Sequence, residues 1–310
     1  MKPQKIDVLV LHHIDPDGYC ASGIVRYFES GENNETYGMN YGYKIPWNKI
    51  KRARKVYMVD FSLPPHEMAQ IRDLVGYENF TWIDHHKTVI EDIEKSGQKI
   101  KGLRRIGESG CELTWEWFNR MKDYPQANMP RAVRMIGRYD VWDIEYSDHR
   151  AGIVKEDLFP LVTGIKFHDP DGDSDQFWFK LFESDEYVQQ VINEGRICYE
   201  YQKVMFAKYC RSHSFDMEWE NHRFLVVNAL NANSQMFESK FNHNDYDAML
   251  TFGYTNKNWS ISMYTDKPGI DVGALAHKYG GGGHVGACGF TCLELPFEDL
   301  LEWKPAEQKG

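Results

Sequence analysis

Three apolar runs of this chain end in groups that bind metals or move protons. Ile6-Asp7-Val8-Leu9-Val10-Leu11 leads into His12-His13-Ile14-Asp15-Pro16-Asp17-Gly18. Val56-Tyr57-Met58-Val59 leads into Asp60, and Phe80-Thr81-Trp82-Ile83 into Asp84-His85-His86. Polar groups buried at such ends without partners would cost several kcal/mol. Clustered carboxylates also repel, which drives some of their pKa values up. Bound cations relieve both problems. A mix of carboxylate and imidazole suits manganese, iron or zinc, whereas an all-oxygen shell suits magnesium or calcium. The donors outnumber the needs of one ion. Two ions about 3.5–4 Å apart, bridged by a carboxylate, would use them, activating a water and clamping the oxygens of a phosphoryl displacement.

The elements that must position these groups are readable. Short β-branched runs bounded by polar loops predict buried parallel strands. Tyr19 to Phe28 has apolar residues at helical spacing, and Pro64-Pro65 opens a second helix that runs to about Val75. Strands alternating with helices imply a parallel sheet with right-handed crossovers. Ligands of such sheets bind outside the carboxyl ends of the strands, and neighbouring strand ends lie about 4.8 Å apart. Thr36 to Trp47 is read as an edge strand with turns. Ser109-Gly110-Cys111-Glu112 spells a capping box at a helix start. A helix over about Met129 to Gly137 leads to Asp140, which closes the polar set. Residues 146–185 give little pattern. Within them, Asp169 to Asp175 reads as a solvated acidic loop, since no glutamate stands at the twelfth position of a calcium loop.

Glu186 to Ser212 predicts one long helix joining two domains. Strands are expected at Phe224–Asn228, Ala248–Gly253 and Trp259–Tyr264, with helices at Ser234–Phe241 and Val272–Tyr279. Gly280-Gly281-Gly282-Gly283-His284 then precedes an apolar strand. Glycines let a backbone approach a ligand and present N–H groups to an anion. A phosphate or nucleotide contact is therefore expected here, with His284 reaching the ester.

Composition narrows the classes. The chain is 42% hydrophobic and 26% charged, with a net charge of −10. That charge argues against a broad basic surface for long duplex nucleic acid. No run of 18 apolar residues exists, so no membrane span is expected. The six cysteines form no C-x-x-C pair, and Met1 to Asp7 lacks the features of a signal peptide. A cytoplasmic protein with reduced thiols is expected.

Taken together, His13-x-Asp15-x-Asp17-Gly18, Val59-Asp60-x-Ser62, Asp84-His85-His86, Asp140 and Gly281-Gly-Gly-His-x-x-Ala-x-Gly-Phe290 resemble, in order, the motifs of the DHH phosphoesterase superfamily with its DHH-associated C-terminal domain. The resemblance implies an α/β protein: a parallel-sheet DHH catalytic domain (1–185), a linker helix (186–215) and a smaller α/β substrate-binding domain (216–310), with a cleft between the lobes. It implies two Mn2+ ions, with Mg2+ or another divalent ion as substitutes. One would take His13, Asp15 and Asp60; the other would take Asp17, Asp60, His85 and Asp140. Asp60 would bridge. Asp84 would orient a ligand, and His86 would meet the scissile phosphate, so Asp60, Asp84 and His86 form the implied catalytic set. Gly281, Gly282, Gly283, His284 and His86 would bind substrate.

The implied activity is hydrolysis of short oligonucleotides by water activated between two metals, in the manner of a nanoRNase or exonuclease. The alternatives are a 3′,5′-bisphosphate nucleotide phosphatase or a cyclic-dinucleotide phosphodiesterase. A non-enzymatic nucleotide-binding module is a further alternative, disfavoured because every expected metal position is present. The partners expected are short oligonucleotides or small nucleotides, with a homodimer left open. The spacing of His13, Asp15 and Asp17 follows the RecJ branch, but the additional RecJ domains are lacking, so action on long DNA is not expected. Members that degrade nanoRNA carry an Arg where this chain has Ser262-Met263-Tyr264, and Lys267 is the candidate substitute.

Overall fold

The computed structural model describes residues 4–29, 31–40, 42–120, 129–230 and 232–297. The first and last residues of the expected domains, 1–3 and 298–310, lie outside the described residues. The chain divides into two compact units, Met1–Glu200 and Tyr201–Gly310.

The first unit is built on a four-stranded parallel sheet, β1 (Ile6–His13), β2 (Asn34–Met39), β3 (Ala53–Val59) and β4 (Phe80–Ile83), in the order β2-β1-β3-β4. Its side chains alternate between faces as strand geometry requires. Val8, Val10, Tyr57, Val59 and Ile83 enter one core; Leu9, Leu11, Val56, Met58, Phe80 and Trp82 enter the other. Sheets covered on both faces are the setting in which parallel strands are stable. The helices of this unit are α1 (Pro16–Phe28), α2 (Trp47–Ile50), α3 (Pro65–Val75), α4 (Lys87–Lys95), α5 (Gly110–Asn119), α6 (Arg131–Asp140), α7 (Leu158–His168) and α8 (Asp175–Glu183); α1, α2, α3 and α5 lie against the strands, and α6, α7 and α8 pack on α1.

Registers fix where the sheet ends. His12 is level with Val59, and Val59 with Ile83. The next residues, His13, Asp60 and Asp84, therefore emerge side by side at one edge. Residues 146–185, silent in sequence, are largely helical. Their cores are sound: Leu158, Leu161, Val162, Ile165, Trp178 and Leu181 are buried. In the acidic stretch Asp169 to Asp175, Asp169, Asp171 and Asp173 are exposed, and Asp175, the first residue of α8, pairs with Arg26 through Nε at 2.5 Å and Nη2 at 2.7 Å.

The helix α9 (Asp185–His213) contains the boundary between the units. The second unit carries a six-stranded sheet ordered β5-β6-β7-β8-β10-β9. Its strands are β5 (Ser214–Trp219), β6 (His222–Asn228), β7 (Ala248–Tyr254), β8 (Trp259–Tyr264), β9 (Gly282–His284) and β10 (Ala287–Cys292), with α10 (Val272–Lys278) before β9. Only β6 and β7 run parallel. The expected helix Ser234–Phe241 shortens to a single tight turn, Ser234–Phe237. Gln235, Met236 and Phe237 plug the core there, and Asn242 then accepts the amides of Asn244 and Asp245, a side-chain turn that competes with helix. All six cysteines are free, and among the described residues no helix is long and apolar enough to cross a membrane.

Trp178 is fully buried in the first unit, and its Nε1 donates to the Asp171 carbonyl at 2.8 Å. Trp178→Ala is expected to destabilise this unit by about 4 kcal/mol, the usual result of emptying a large aromatic site. Urea unfolding followed by circular dichroism measures it; a loss below about 1 kcal/mol would show that this core collapses readily around the gap.

Candidate metal centre

The site is assembled by local rules at the strand ends. Asp15 caps α1: its Oδ1 accepts the Gly18 amide at 2.9 Å, while its Oδ2 lies 2.6 Å from His13 Nδ1. Pro16 opens the helix where its missing N–H costs nothing. Asp17, in the first turn, is 1% exposed. Its carboxylate accepts the first two amides of α5, Gly110 N at 2.7 Å and Cys111 N at 2.9 Å. Those amides sit at the positive end of that helix. Asp60 leaves β3 in the left-handed region, with φ 52°, and its amide donates to the Ile83 carbonyl at 2.9 Å. Asp tolerates this conformation better than most residues, and such turns cluster at functional sites.

Two donor groups result. Ligand atoms of His13, Asp15 and Asp60 lie within 4.8 Å of one another, as do those of Asp17, His85 and Asp140. Asp60 faces both. Its Oδ1 is 3.1 Å from His85 Nε2 and its Oδ2 is 3.9 Å from His13 Nδ1. His85 Nε2 is also 3.5 Å from Asp140 Oδ2 and 4.0 Å from Asp17 Oδ2.

Asp84 is different. Its Oδ1 accepts the amides of His85 (2.7 Å) and His86 (3.2 Å) and lies 2.7 Å from His86 Nδ1; its Oδ2 accepts Trp82 Nε1 at 3.2 Å. Although Asp60, Asp84, His85 and His86 also bring ligand atoms together, the Asp84 carboxylate is taken up by these bonds. It holds the His86 ring and both backbone amides.

Electrostatics separates the carboxylates further. Burial would raise Asp84, but His86, His85 and the His86 amide hold it at about 2. Burial likewise opposes ionisation of Asp15, and His13 overcomes it, leaving that carboxyl far below its usual range. Asp60 and Asp140 go the other way. Burial, then the charges of Asp17 and Asp15, push both well above the ordinary carboxylate value. His86 is raised, because Asp84 outweighs its burial; His85 is lowered, by burial first and His86 second.

The residues fit a pair of divalent cations. Two imidazoles and four carboxylates converge, and Asp60 Oδ2 and Asp140 Oδ2 are buried without a hydrogen-bond partner among the described residues. Buried polar atoms left this way call for an explanation such as an ion.

His13, Asp15, Asp17, Asp60, Asp84, His85, His86 and Asp140 thus meet in the first unit. Gly281, Gly282, Gly283 and His284 belong to the second. There Gly282–His284 pairs antiparallel with Ala287–Gly289. Gly283 has φ 139°, and a Cβ on Gly281 would sit 2.1 Å from the Gly289 carbonyl oxygen, so this hairpin requires glycine for its own backbone. Lys267 is already paired, with its Nζ 2.7 Å from Asp247 Oδ1. Sequence reasoning missed the grip of α5 on Asp17. The Ser109–Glu112 capping box marked that helix start, but nothing in the sequence said what its first amides face.

No family model matches the chain. It is similar to an uncharacterized protein of Acanthamoeba polyphaga mimivirus, with 26% identity over 341 residues covering 99% of this chain and 74% of that one. It is also similar to the oligoribonuclease NrnB of Bacillus subtilis strain 168, with 24% identity over 310 residues covering 92% and 73%. Among solved structures, the DHH domain of a member of a ribosomal-protein family aligns with a TM-score of 0.58 at 14% identity, covering 92% of this chain and 82% of that one. RecJ of Thermus thermophilus in complex with Mn2+ aligns at 0.51 and 13% identity, covering 92% and 49%. The chain shares the fold of this DHH domain and of RecJ.

The raised position of Asp60 gives a test with a definite sign. Its folded value exceeds its unfolded one, so its stabilising contribution is present at low pH and lost as the pH rises through the folded value. Asparagine keeps the shape without the charge. Metal-free Asp60→Asn is expected to be more stable than metal-free wild type at pH 8, with the gap closing toward pH 4. Thermal unfolding at both pH values decides it; an equal or lower midpoint for the variant at pH 8 would remove the repulsion argument.

Proposed function

We propose that this chain is a manganese-dependent phosphoesterase that hydrolyses phosphodiester bonds of short oligonucleotides. The observation that carries the reading is Asp60, whose two carboxylate oxygens face two separate donor groups, each completed by imidazole and carboxylate. His13, Asp15 and Asp60 would hold one cation; Asp17, Asp60, His85 and Asp140 would hold the other. When bound, such a pair supplies the positive charge a phosphoryl displacement needs and the acidity that makes water a nucleophile near neutral pH. The chain's own groups do the rest. Asp84 fixes the ring of His86 through Nδ1, and the same ring is assigned to donate to a phosphate or leaving oxygen. Its raised pKa favours the protonated, donating form. Gly281, Gly282, Gly283 and His284 are assigned to substrate binding.

Three likenesses support the reading. NrnB is named an oligoribonuclease, the RecJ structure contains Mn2+, and the structure from the ribosomal-protein family is named a DHH domain. The net charge of −10 supports short substrates over long duplexes. The six free cysteines support a cytoplasmic location.

The deciding experiment is incubation with labelled di- to decanucleotides of RNA and DNA, cyclic dinucleotides and adenosine 3′,5′-bisphosphate, with Mn2+ or with chelator. Manganese-dependent cleavage of the short linear chains is expected. Exclusive turnover of a cyclic dinucleotide or of the bisphosphate would replace the substrate assignment, and no turnover of anything would favour a binding module. Asp60→Ala is expected to lower kcat/KM by about a thousandfold or more through loss of the shared ligand. Near-normal turnover would end the two-cation reading. His284→Ala is expected to raise KM about tenfold with kcat little changed; an unchanged KM would remove His284 from substrate binding.

A further inference from the structure

We propose that Glu112, gripped by Arg134 and Arg138, is the positioning device for one half of the centre, the Asp17–His85–Asp140 group. This rests on the two-cation reading above. Glu112 is fully buried, and its carboxylate meets two different elements. On its own helix, Oε2 accepts the Ser109 amide at 3.4 Å, and the Ser109 hydroxyl accepts the Glu112 amide at 3.3 Å, closing the capping box. On the neighbouring helix α6, Arg134 Nη1 reaches Oε1 at 2.8 Å, and Arg138 Nη2 bonds Oε2. The two arginines are four residues apart, so they share a face of α6.

Both ends of this clamp lead to metal donors. The α5 start that Glu112 closes is the one whose Gly110 and Cys111 amides hold Asp17. The α6 helix that Arg134 and Arg138 tie down ends in Asp140. At Gly137, between them, an added Cβ would lie 2.5 Å from Ser109 Oγ and 2.6 Å from Glu112 Cγ, so the two helices touch at this point. One carboxylate thereby sets the spacing between the support of Asp17 and the support of Asp140. His13 and Asp15 take no part in the clamp: they are fixed by each other and by the α1 start. The clamp therefore supports Asp17 and Asp140, the donors that only one cation position uses, while Asp60, which also packs against the Gly110 start of α5, is shared by both.

A purely structural ion pair would behave differently, and α6 provides the comparison. Arg131, on the same helix, lies 3.5 Å from Asp157 and within 3.4 Å of Gln189, away from Glu112. Groups that orient metal ligands typically change metal affinity about ten- to a hundredfold when removed. Lysine cannot reproduce the planar fork of arginine.

The test is isothermal titration of Mn2+ into the chelator-treated full chain, with thermal unfolding in parallel, for wild type, Arg138→Gln, Arg138→Lys and Arg131→Gln. Wild type is expected to bind two ions. Arg138→Gln should keep one affinity within about twofold and weaken the other by about tenfold or more, and Arg138→Lys should weaken that same site several-fold. Arg131→Gln should lower the unfolding temperature and leave both affinities within about twofold. The proposal is overturned if Arg138→Gln weakens both sites equally, or neither. Should Arg138→Gln not fold, Arg138→Lys is judged by the same criteria. Wild type binding fewer than two ions would overturn the two-cation reading and this proposal with it, a result distinct from wild type binding two and Arg138→Gln losing neither.

Discussion

Too much negative charge is buried at one edge of the first sheet, and most of the local structure answers that constraint. Asp17, Asp60 and Asp84 are each nearly inaccessible, and Asp15 and Asp140 stand close by. In a region of low dielectric, like charges at these separations cannot all persist unaided. The protein compensates some of them itself. Asp84 receives three N–H bonds from its own turn and one from Trp82. Asp15 receives His13 and the Gly18 amide. Asp17 receives the start of α5. Asp60 and Asp140 are left with buried oxygens and a raised affinity for protons. The same buried negative charge that raises proton affinity would attract a divalent cation, which would displace those protons on binding.

The fold meets this constraint through register. Because His12, Val59 and Ile83 are level, the next residues, His13, Asp60 and Asp84, arrive at the same height without any long side chain having to reach. The left-handed turn at Asp60 then redirects the chain toward α3 immediately. That keeps a short, stiff carboxylate between the two donor groups. Glutamate there would add a rotatable bond and the entropy of ordering it.

Much of this was legible in the sequence, for definite reasons. The strands β1, β3 and β4 are apolar runs between polar ends, and their carboxyl-end residues are the ones that converge. The capping box at Ser109 specified a helix start that the structure contains. Other features were not legible. Helix α7 is apolar enough to be buried on several sides, so it lacks the one-sided periodicity that identifies an amphipathic helix. The three-residue strand β9 exists because Ala287 to Gly289 pairs with it, and glycine has no intrinsic strand preference. Ser234 to Phe241 looked helical, but the Asn242 side-chain turn just beyond it offered the backbone a local alternative. The link from α5 to Asp17 spans 93 residues, and no spacing rule reaches that far.

The contrast between Asp84 and Asp60 bears on how such motifs should be interpreted. Both are aspartates that follow a buried parallel strand, and sequence alone treats them alike. The structure separates them by whether their oxygens are satisfied. Asp84 is saturated by donors on neighbouring backbone and rings, so it is held as an anion without help and acts on His86. Asp60 has one oxygen near an imidazole and one with no hydrogen-bond partner among the described residues, so it is an incomplete anion. Completing Asp84 with a cation would require breaking bonds already made; completing Asp60 requires breaking almost none. A bound cation would therefore settle on the strand end the protein leaves unsatisfied, and Asp84 would stay with His86, the histidine proposed to meet the phosphate.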